Sequence, residues 1–191
     1  MRVSREQAAA NRERIVEAAA RLFRDHGYEG VGVDAIMKEA GLTHGGFYGH
    51  FASKEQLAGE ALALTCAQAR SKNETGDLAA ALEHYLNEAH CADRAGGCPV
   101  AALGAEMPRW DANARATMTG HLRSWFERMG GLLAKAGGGE TARRQRAIAT
   151  VAGMVGALTL ARAVDDDALR REILAAARAA FGPGEAAEST H

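Results

Sequence analysis

One run of fourteen residues, from Gly41 to Lys54, restricts the local fold more than any other part of the chain. Its sequence is Gly-Leu-Thr-His-Gly-Gly-Phe-Tyr-Gly-His-Phe-Ala-Ser-Lys. Apolar residues at helical spacing precede Gly41, which stands where a left-handed C-terminal cap falls, so we predict a short helix ending there. Thr43 can cap the next helix with its hydroxyl, and that helix can run no further than Phe51 because Ser53 opens a Ser-x-x-Gln capping box. Two short helices joined by a tight turn predict a helix-turn-helix.

The second helix of this motif contains three glycines, each of which costs about 1 kcal/mol of helix propensity relative to alanine. Phe47 and Phe51 can anchor one face in a core, while the glycines allow another surface to approach closely. The major groove of B-DNA admits a helix, and polar side chains can contact its base edges and phosphates. The alternative, in which these side chains only pack within a small helical domain, stays open. The DNA contacts that we predict are Thr43, His44, Gly45, Tyr48, His50 and Lys54.

The segment from Ile15 to Lys54 resembles the DNA-binding domain of the TetR family of bacterial repressors. The run Arg-Ile-Val-Glu-Ala-Ala-Ala-Arg-Leu-Phe-Arg-Asp-His-Gly-Tyr, from Arg14 to Tyr28, is similar to the first helix of that family. The resemblance implies an all-helical homodimer with one helix-turn-helix per subunit and a larger C-terminal domain for ligand binding and dimerisation. Family members often carry Ser or Thr where Gly32 stands, so a hydroxyl that would cap the second helix and touch a phosphate is missing here.

The composition of the whole chain is that of an ordinary soluble protein, with 191 residues, 47% hydrophobic and 25% charged. Its three prolines leave room for long helices, and no alternating run rich in Val, Ile or Thr indicates a sheet. We therefore predict an all-α fold. An N-terminal three-helix helix-turn-helix domain is expected at 1–53, a C-terminal helical domain for effector binding and dimerisation at 54–181, and a disordered tail at 182–191.

The net charge of -1 excludes a chain that is basic throughout, so affinity for DNA has to come from a local patch. Four arginines near the N-terminus can supply one together with Lys54, although a solvated helix face explains each of them equally well. The N-terminus has no apolar secretory segment, and three cysteines without framework spacing fit a reducing cytoplasm. The four arginines are Arg2, Arg5, Arg12 and Arg14.

Helical periodicity continues through the second half of the chain. Apolar residues from Leu78 to Ala89 predict a helix ending near Ala92, and Pro99 suits the first position of another helix. Two final helices are expected at 140–164 and 166–181.

The helix at 140–164 is apolar on more than one face and must be covered on more than one side. We predict that the last two helices pair with their symmetry mates in a homodimer, the alternative being that they complete the core of a monomer. The most apolar stretch, Ala147 to Ala161, is too short and too rich in small residues to span a bilayer, so no membrane partner is expected.

Cys98 is a candidate sensor because a thiol at a helix N-terminus lies near unpaired amides that favour the thiolate. The segment from Gly97 to Met107, which begins Gly-Cys-Pro-Val, also resembles a TetR subgroup in which a cysteine at this place responds to electrophiles or oxidants. Modification would then reposition this helix and release DNA. The competing interpretation is a small buried hydrophobic residue, the common fate of a cysteine outside a disulfide.

Aromatic residues between positions 110 and 126 can line an apolar pocket for a small-molecule effector, although such stripes more often form plain core. The candidates are Trp110, His121, Trp125 and Phe126. No cofactor is predicted, and the histidine and cysteine spacing matches no familiar metal site.

The function that these patterns favour is a sequence-specific DNA-binding regulator. We expect a repressor released from a near-palindromic double-stranded operator by a small effector or by modification of a cysteine. An enzyme using Cys98 as nucleophile lacks a recognisable supporting motif. A helical protein-binding adaptor does not explain the surface from Thr43 to Lys54.

Overall fold

The computed structural model describes residues 4–72, 76–136 and 139–183. Within these ranges the chain forms nine α-helices and no strand, so the all-α prediction is confirmed. The tail predicted to be disordered lies, beyond Pro183, outside the described residues. The helices are α1 (Arg5–His26), α2 (Val33–Glu39), α3 (Lys54–Lys72), α4 (Leu78–Tyr85), α5 (Glu88–Ala92), α6 (Pro99–Leu103), α7 (Ala112–Leu132), α8 (Glu140–Ala163) and α9 (Asp167–Phe181), with 3₁₀ turns at His44–Gly49, Met107–Arg109 and Leu133–Ala136.

The chain divides into two compact units, and each unit is built from two separate stretches of the sequence. The first contains the described residues up to Ala69 together with Arg94–Thr119, and the second contains Arg70–Asp93 together with the described residues from Gly120 onward. The segment that carries α6 therefore belongs to the same unit as α1, α2 and the start of α3. The domain boundary after residue 53 stays a prediction.

Helix α1 is delimited by Ser4 at its N-cap and Gly27 at its C-cap. The Ser4 hydroxyl accepts a hydrogen bond from the Gln7 amide at 3.1 Å, but the Gln7 side chain donates to Asn11 instead of returning to the cap. The helix ends before Gly27, whose φ of 75° is accessible to glycine at little cost. Ile15 and Phe23 are buried, which fixes one face of α1 inside the first unit.

The segment that returns to the first unit is held to α1 by two arginines. Arg24 is buried and donates to the carbonyl of Ala95, while Arg94 forms an ion pair with Asp25 at 2.7 Å. Pro99 occupies the first turn of α6, as predicted, and α6 packs against α1. The first unit is thus more than a three-helix domain.

The single helix predicted from Leu78 to Ala92 is wrong, because the chain breaks at Asn87. The Asn87 side chain donates to the carbonyls of Glu83 and His84 and accepts from the His90 amide at 2.8 Å. One asparagine thereby ends α4 and caps α5, which is the competition with helix backbone that short amide side chains provide.

The second unit is built around α8 and α9, which match the two predicted final helices closely. A Cβ at Gly153 would lie 2.1 Å from Cζ of Phe181, so this close packing requires glycine. Asp166 caps α9 by accepting from the amides of Ala168 and Leu169.

By length and composition alone, α8 is long and apolar enough to cross a membrane, and 39% of its most apolar stretch is buried within the chain. Among the described residues of this unit, the large apolar side chains that are exposed are Ile148, Leu160 and Leu169.

Candidate DNA interface and effector region

The turn between α2 and the following 3₁₀ segment is a Schellman motif. Gly41 has a φ of 67°, its amide donates to the carbonyl of Lys38 at 3.0 Å, and the Leu42 amide donates to Met37 at 2.8 Å. These are the two hydrogen bonds that define this C-terminal cap, and the left-handed conformation favours glycine. The prediction that α2 is ended by a left-handed glycine cap at Gly41 is confirmed.

The segment after this turn is a 3₁₀ helix at His44–Gly49, and the predicted Thr43 hydroxyl cap is wrong. The Gly46 amide, which such a cap would use, donates instead to the backbone carbonyl of Thr43 at 3.0 Å. This bond between residues three apart is the hallmark of 3₁₀ geometry. Because three of the six residues are glycines of low helix propensity, a short tight turn replaces an α-helix here.

The aromatic residues of the segment divide into anchors and an exposed ring. Phe47 and Phe51 are buried, and their rings stack with centroids 5.8 Å apart, as their spacing predicts. Tyr48 packs edge-on against Phe47 but is 71% exposed. Thr43, His44 and Gly45 are also exposed, and His50 is half-buried. The side chains predicted to touch DNA therefore project from a surface whose opposite face is fixed in the core.

Helix α3 begins immediately after this surface at the predicted capping box. The Ser53 hydroxyl accepts from the Gln56 amide at 3.2 Å, and the Gln56 side chain accepts from the amide of Ala52 at 2.9 Å. The reciprocal bond thus reaches one residue further back than in the standard box. These bonds fix the start of α3 and with it the backbone of Lys54.

The Lys54 side chain is held by a residue that the sequence analysis did not single out. Its Nζ donates to the carbonyl of Tyr28 at 2.7 Å and lies 4.0 Å from the centroid of the Tyr28 ring. The Tyr28 hydroxyl in turn donates to Glu55. The Gly-Tyr exit from α1 was the available signal, because it places an aromatic ring at the turn that faces the start of α3.

His44 contacts the carboxylate of Asp34, in the first turn of α2, through its Nδ1. Asp34 stays highly exposed, so a negative group lies beside one of the predicted DNA contacts. Gly32 occupies the N-cap position of α2 and provides no side-chain cap. A Cβ at Gly32 would meet nothing within 4 Å, so the missing hydroxyl is not excluded by packing.

The N-terminal arginines within the described ranges are partly used inside the first unit. Arg12 pairs with Glu60 at 2.6 Å and lies over the Phe51 ring, and Arg14 donates to the carbonyl of Ala40. Arg2 lies outside the described residues. Arg12 and Arg14 thus make contacts within the first unit that stabilise the helix-turn-helix.

The four aromatic candidates for effector binding occupy three environments. Trp110 belongs to the first unit, where its ring centroid lies 5.0 Å from that of Tyr28. His121 and Trp125 are buried together in the second unit, with ring centroids 6.1 Å apart. Phe126 lines a surface groove beside α8, under the guanidinium of Arg144.

His121 is the most unusual polar group of the second unit. It is 3% exposed, and its Nδ1 has no hydrogen-bond partner among the described atoms. Burial, followed by the charges of Arg128 and Arg70, lowers the pKa of His121 to about 4. The imidazole is therefore neutral near pH 7 and retains an unsatisfied ring nitrogen, which is costly in a protein interior.

Cys98 is the residue immediately before α6 and is 5% exposed. Arg94, its charged neighbour in sequence, is engaged with Asp25. Cys91 and Cys66 are also buried, and none of the three forms a disulfide. The role of Cys98 as a sensor stays a prediction.

Two sequence profiles match the chain over most of its length. The profile of the bacterial regulatory proteins of the tetR family matches residues 15–61, and that of the transcriptional regulator LmrA/YxaF-like C-terminal domain matches residues 75–176, more than half of the chain. The HTH-type transcriptional regulator LmrA of Bacillus subtilis (strain 168) is 38% identical over 106 residues, which cover 50% of this chain and 56% of LmrA. The chain thus spans about half the length of this curated relative.

Solved structures of similar fold cover nearly the whole chain. A TetR transcriptional regulator from Chloroflexus aurantiacus J-10-FL superposes with a TM-score of 0.73 and 28% identity, over 91% of this chain and 94% of that one. A TetR family regulator from Cytophaga hutchinsonii has a TM-score of 0.75 at 21% identity, over 95% and 96% of the two chains. With the helix-turn-helix geometry and both profile matches, these findings establish that the chain belongs to the TetR family of bacterial transcription regulators, which are DNA-binding proteins rather than enzymes.

Proposed function

We propose that this protein is a homodimeric repressor that binds a near-palindromic operator and leaves it when a small effector occupies the second unit. The observation that carries the proposal is the surface of the 3₁₀ segment, where Tyr48 is 71% exposed while its neighbours Phe47 and Phe51 are buried. An aromatic side chain held out of the core by buried neighbours is available to a partner. In a TetR family member that partner is the major groove and its phosphates.

The glycines of the segment support this role. A Cβ at Gly45 or Gly49 would meet nothing within 4 Å, so packing within the described part of the chain does not require these positions to be small. Gly46 differs, because a Cβ there would contact the Met37 side chain. We infer that Gly45 lets the backbone approach DNA, and we assign base or phosphate contacts to Thr43, His44, Tyr48 and His50.

Lys54 is assigned a phosphate contact because an ammonium has three N–H donors and Tyr28 takes one of them. The remaining donors can bind a phosphate oxygen in a geometry that the Tyr28 carbonyl has already oriented. His44 has a second role, since its Nδ1 contacts the carboxylate of Asp34, which would otherwise face DNA without a partner from this segment.

The dimer interface is assigned to α8 and α9, where Leu160 is 59% exposed and Ile148 and Leu169 are also exposed. Covering these side chains with a second copy removes apolar surface from water and explains why α8 is apolar beyond the face it buries within the chain. A two-fold dimer requires two operator half-sites about one helical turn apart, or a multiple of it.

The effector site is assigned to the surroundings of His121 and Trp125, because an unsatisfied buried imidazole nitrogen beside an indole ring can recognise a polar atom on an otherwise apolar molecule. The 5% exposure of Cys98 favours such a ligand over modification of the thiol as the trigger. Effector and DNA then stabilise different arrangements of the dimer and weaken each other's binding. As is typical of the family, we place the protein in the cytoplasm.

The DNA-binding assignment is tested by measuring affinity for the DNA upstream of the protein's own gene by fluorescence anisotropy. Tyr48→Ala should weaken specific binding at least tenfold. Tyr48→Phe removes only the hydroxyl and so measures how much that group contributes to the affinity for DNA. Circular dichroism and unfolding should be unchanged, since the ring is exposed. Wild-type binding that is independent of sequence, or a Tyr48→Ala protein with full affinity, would overturn the assignment.

The dimer assignment is tested by sedimentation at micromolar concentration. Wild-type protein should sediment as a dimer, and Leu160→Glu should sediment as a folded monomer because the charge cannot be buried at an apolar interface. The control is Leu169→Glu on α9, where the leucine is less exposed than Leu160, and this change should weaken the dimer less. A monomeric wild-type protein would refute the assignment.

A further inference from the structure

The first unit contains a cavity of about 450 Å³, and Trp110 is the one residue of its lining that the sequence predicted as an effector contact. It is formed by the exit from α1, the first turns of α3 and the segment that follows α6. Its volume lies within the range of small-molecule sites. All of its lining residues belong to the first unit, the one that carries the helix-turn-helix.

Two aromatic rings form one wall of this cavity. The centroids of Tyr28 and Trp110 lie 5.0 Å apart at an interplanar angle of 56°, and Phe23 packs against both rings from the core. The indole Nε1 of Trp110 is buried without an acceptor among the described atoms. The wall is therefore packed against the core, and it includes a donor that the described atoms leave unsatisfied.

The charged part of the cavity lining is mainly acidic. Its carboxylates outnumber its basic side chains, which are Arg109 and His26. Hydrogen bonds, first of all from Ser53, lower the pKa of Glu55 and keep it ionised. The acidic residues of the lining are Glu29, Glu55, Glu106 and Asp111.

Two of these carboxylates are fixed by Tyr28. The Tyr28 amide donates to Glu106 at 3.0 Å, and the Tyr28 hydroxyl donates to Glu55 at 3.1 Å. Burial, followed by the bond to Glu55, raises the pKa of the Tyr28 phenol to about 12, so it remains a donor at neutral pH. The acidic groups are thus oriented around an aromatic ring.

Aromatic faces combined with carboxylates bind organic cations, since the ring quadrupole and the negative charges attract the same ligand. The chain itself contains one such contact between a cation and an aromatic ring, since the Lys54 ammonium lies 4.0 Å from the centroid of the Tyr28 ring. A metal ion does not fit: in the described part of the chain, no three histidine, cysteine or carboxylate side chains are grouped closely enough to hold one.

We propose that this cavity is a second ligand site, separate from the surroundings of His121, and that it binds an organic cation composed of an ammonium group and an aromatic or alkyl body. This inference rests on the proposed function in one respect, the effect on DNA. A cation in the cavity contacts Tyr28, whose carbonyl and ring hold Lys54, the assigned phosphate contact, so occupancy of the cavity lowers the affinity for the operator.

The binding step is tested by isothermal titration calorimetry of the full chain with 2-phenylethylammonium and its neutral analogue 2-phenylethanol. The cation should bind saturably, and the neutral molecule at least tenfold more weakly. Glu29→Gln and Glu106→Gln should each weaken the cation severalfold without affecting the alcohol. Glu172→Gln, an exposed acidic residue on α9, is the matched control and should change neither. Equal affinities for the two molecules, or variants that bind the cation as wild type does, would overturn the proposal.

The location of the ligand is tested by fluorescence. The chain has two tryptophans, so Trp125→Phe leaves Trp110 as the sole indole. The cation should change Trp110 emission in that variant at the concentration found by calorimetry. Binding without any change of Trp110 emission would place the ligand elsewhere and refute the assignment. If Trp125→Phe does not fold, chemical-shift changes of the Trp110 indole N–H in wild-type protein provide the same information.

The effect on DNA is measured separately. Saturating cation should raise the operator Kd by the same factor by which operator DNA weakens the cation, because linkage between two binding sites is reciprocal. Cation binding by a protein that binds no specific DNA would refute the proposed function and leave the cavity assignment intact. Normal DNA binding without cation binding would refute the cavity assignment alone.

Discussion

The 3₁₀ segment of the first unit and the His121–Trp125 cluster of the second unit present their functional candidates in opposite ways. In the segment, buried phenylalanines hold Tyr48 out of the core, where it is available to a large partner. In the cluster, the polar candidate is itself buried and has no partner for its Nδ1. A surface that contacts DNA needs rigid support behind exposed groups, whereas a site for a small molecule needs a polar group with little access to water. The predictions below test this contrast.

The largest effect is expected from removing a support of the exposed segment. Phe47→Ala should lower the free energy of unfolding by about 3–5 kcal/mol, because it deletes a fully buried aromatic ring and leaves a cavity. Urea denaturation measures this loss, and DNA binding should disappear with it. Tyr48→Ala on the neighbouring residue should change stability by less than about 0.5 kcal/mol. Equal stability losses in the two variants would contradict the division between anchor and contact.

The second effect concerns the buried histidine and depends on pH. Burial first, and then Arg128 and Arg70, lower the pKa of His121 to about 4 from an ordinary value of 6.5. In the unfolded chain His121 is therefore protonated as pH falls through about 6.5, whereas in the folded chain it is protonated only near pH 4. The free energy of unfolding consequently falls as pH falls across this interval. The loss at the acid end is about 3 kcal/mol, since each pKa unit corresponds to roughly 1.4 kcal/mol.

This prediction is checked by urea denaturation of wild-type protein and His121→Gln between pH 4 and 7. The wild-type stability should fall more steeply, because both proteins share the titration of every other group, including His90, whose pKa burial also lowers. Nuclear magnetic resonance titration of His121 in wild-type protein gives the same answer if the variant does not fold. Parallel curves for the two proteins, or a His121 that titrates near 6.5, would remove the contrast with the exposed segment.

The sequence predicted best those features that nearby residues determine. The Schellman turn at Gly41 and the Ser53 cap depend on residues within one helical turn, and both formed as expected. The predicted Thr43 hydroxyl cap is absent because the Gly46 amide donates to the backbone carbonyl of Thr43 instead of its hydroxyl. Residue type alone does not decide between these two local hydrogen bonds. Asn87 broke a helix for the same kind of reason.

Features that depend on contacts between distant residues could not be predicted in the same way. Trp110 and Trp125 lie on one apolar pattern, yet Trp110 packs with Phe23 and Tyr28 while Trp125 packs with Tyr85. Tyr28 itself was named only as the end of a motif, although it contacts Lys54, Glu55 and Glu106. These contacts join residues 26 to 78 positions apart, and helical periodicity specifies which face is buried, without specifying its neighbour.

The smallest effect tests whether the exposed surface is complete. Gly32 has extended backbone, with φ of −87° and ψ of 161°, no side-chain cap and open space around its Cβ. Gly32→Ser should stabilise α2 by a few tenths of a kcal/mol, because serine caps slightly better than glycine. If its hydroxyl also reaches a phosphate, one added hydrogen bond of about 1 kcal/mol makes operator binding roughly fivefold tighter. Gly32→Ala adds the same Cβ without the hydroxyl, so it should lose stability relative to serine and bind DNA no more tightly than wild type. If serine and alanine gave the same operator affinity, the DNA would pass too far from the start of α2 for a side chain there to contact it, and the contacts would be confined to the 3₁₀ segment and Lys54.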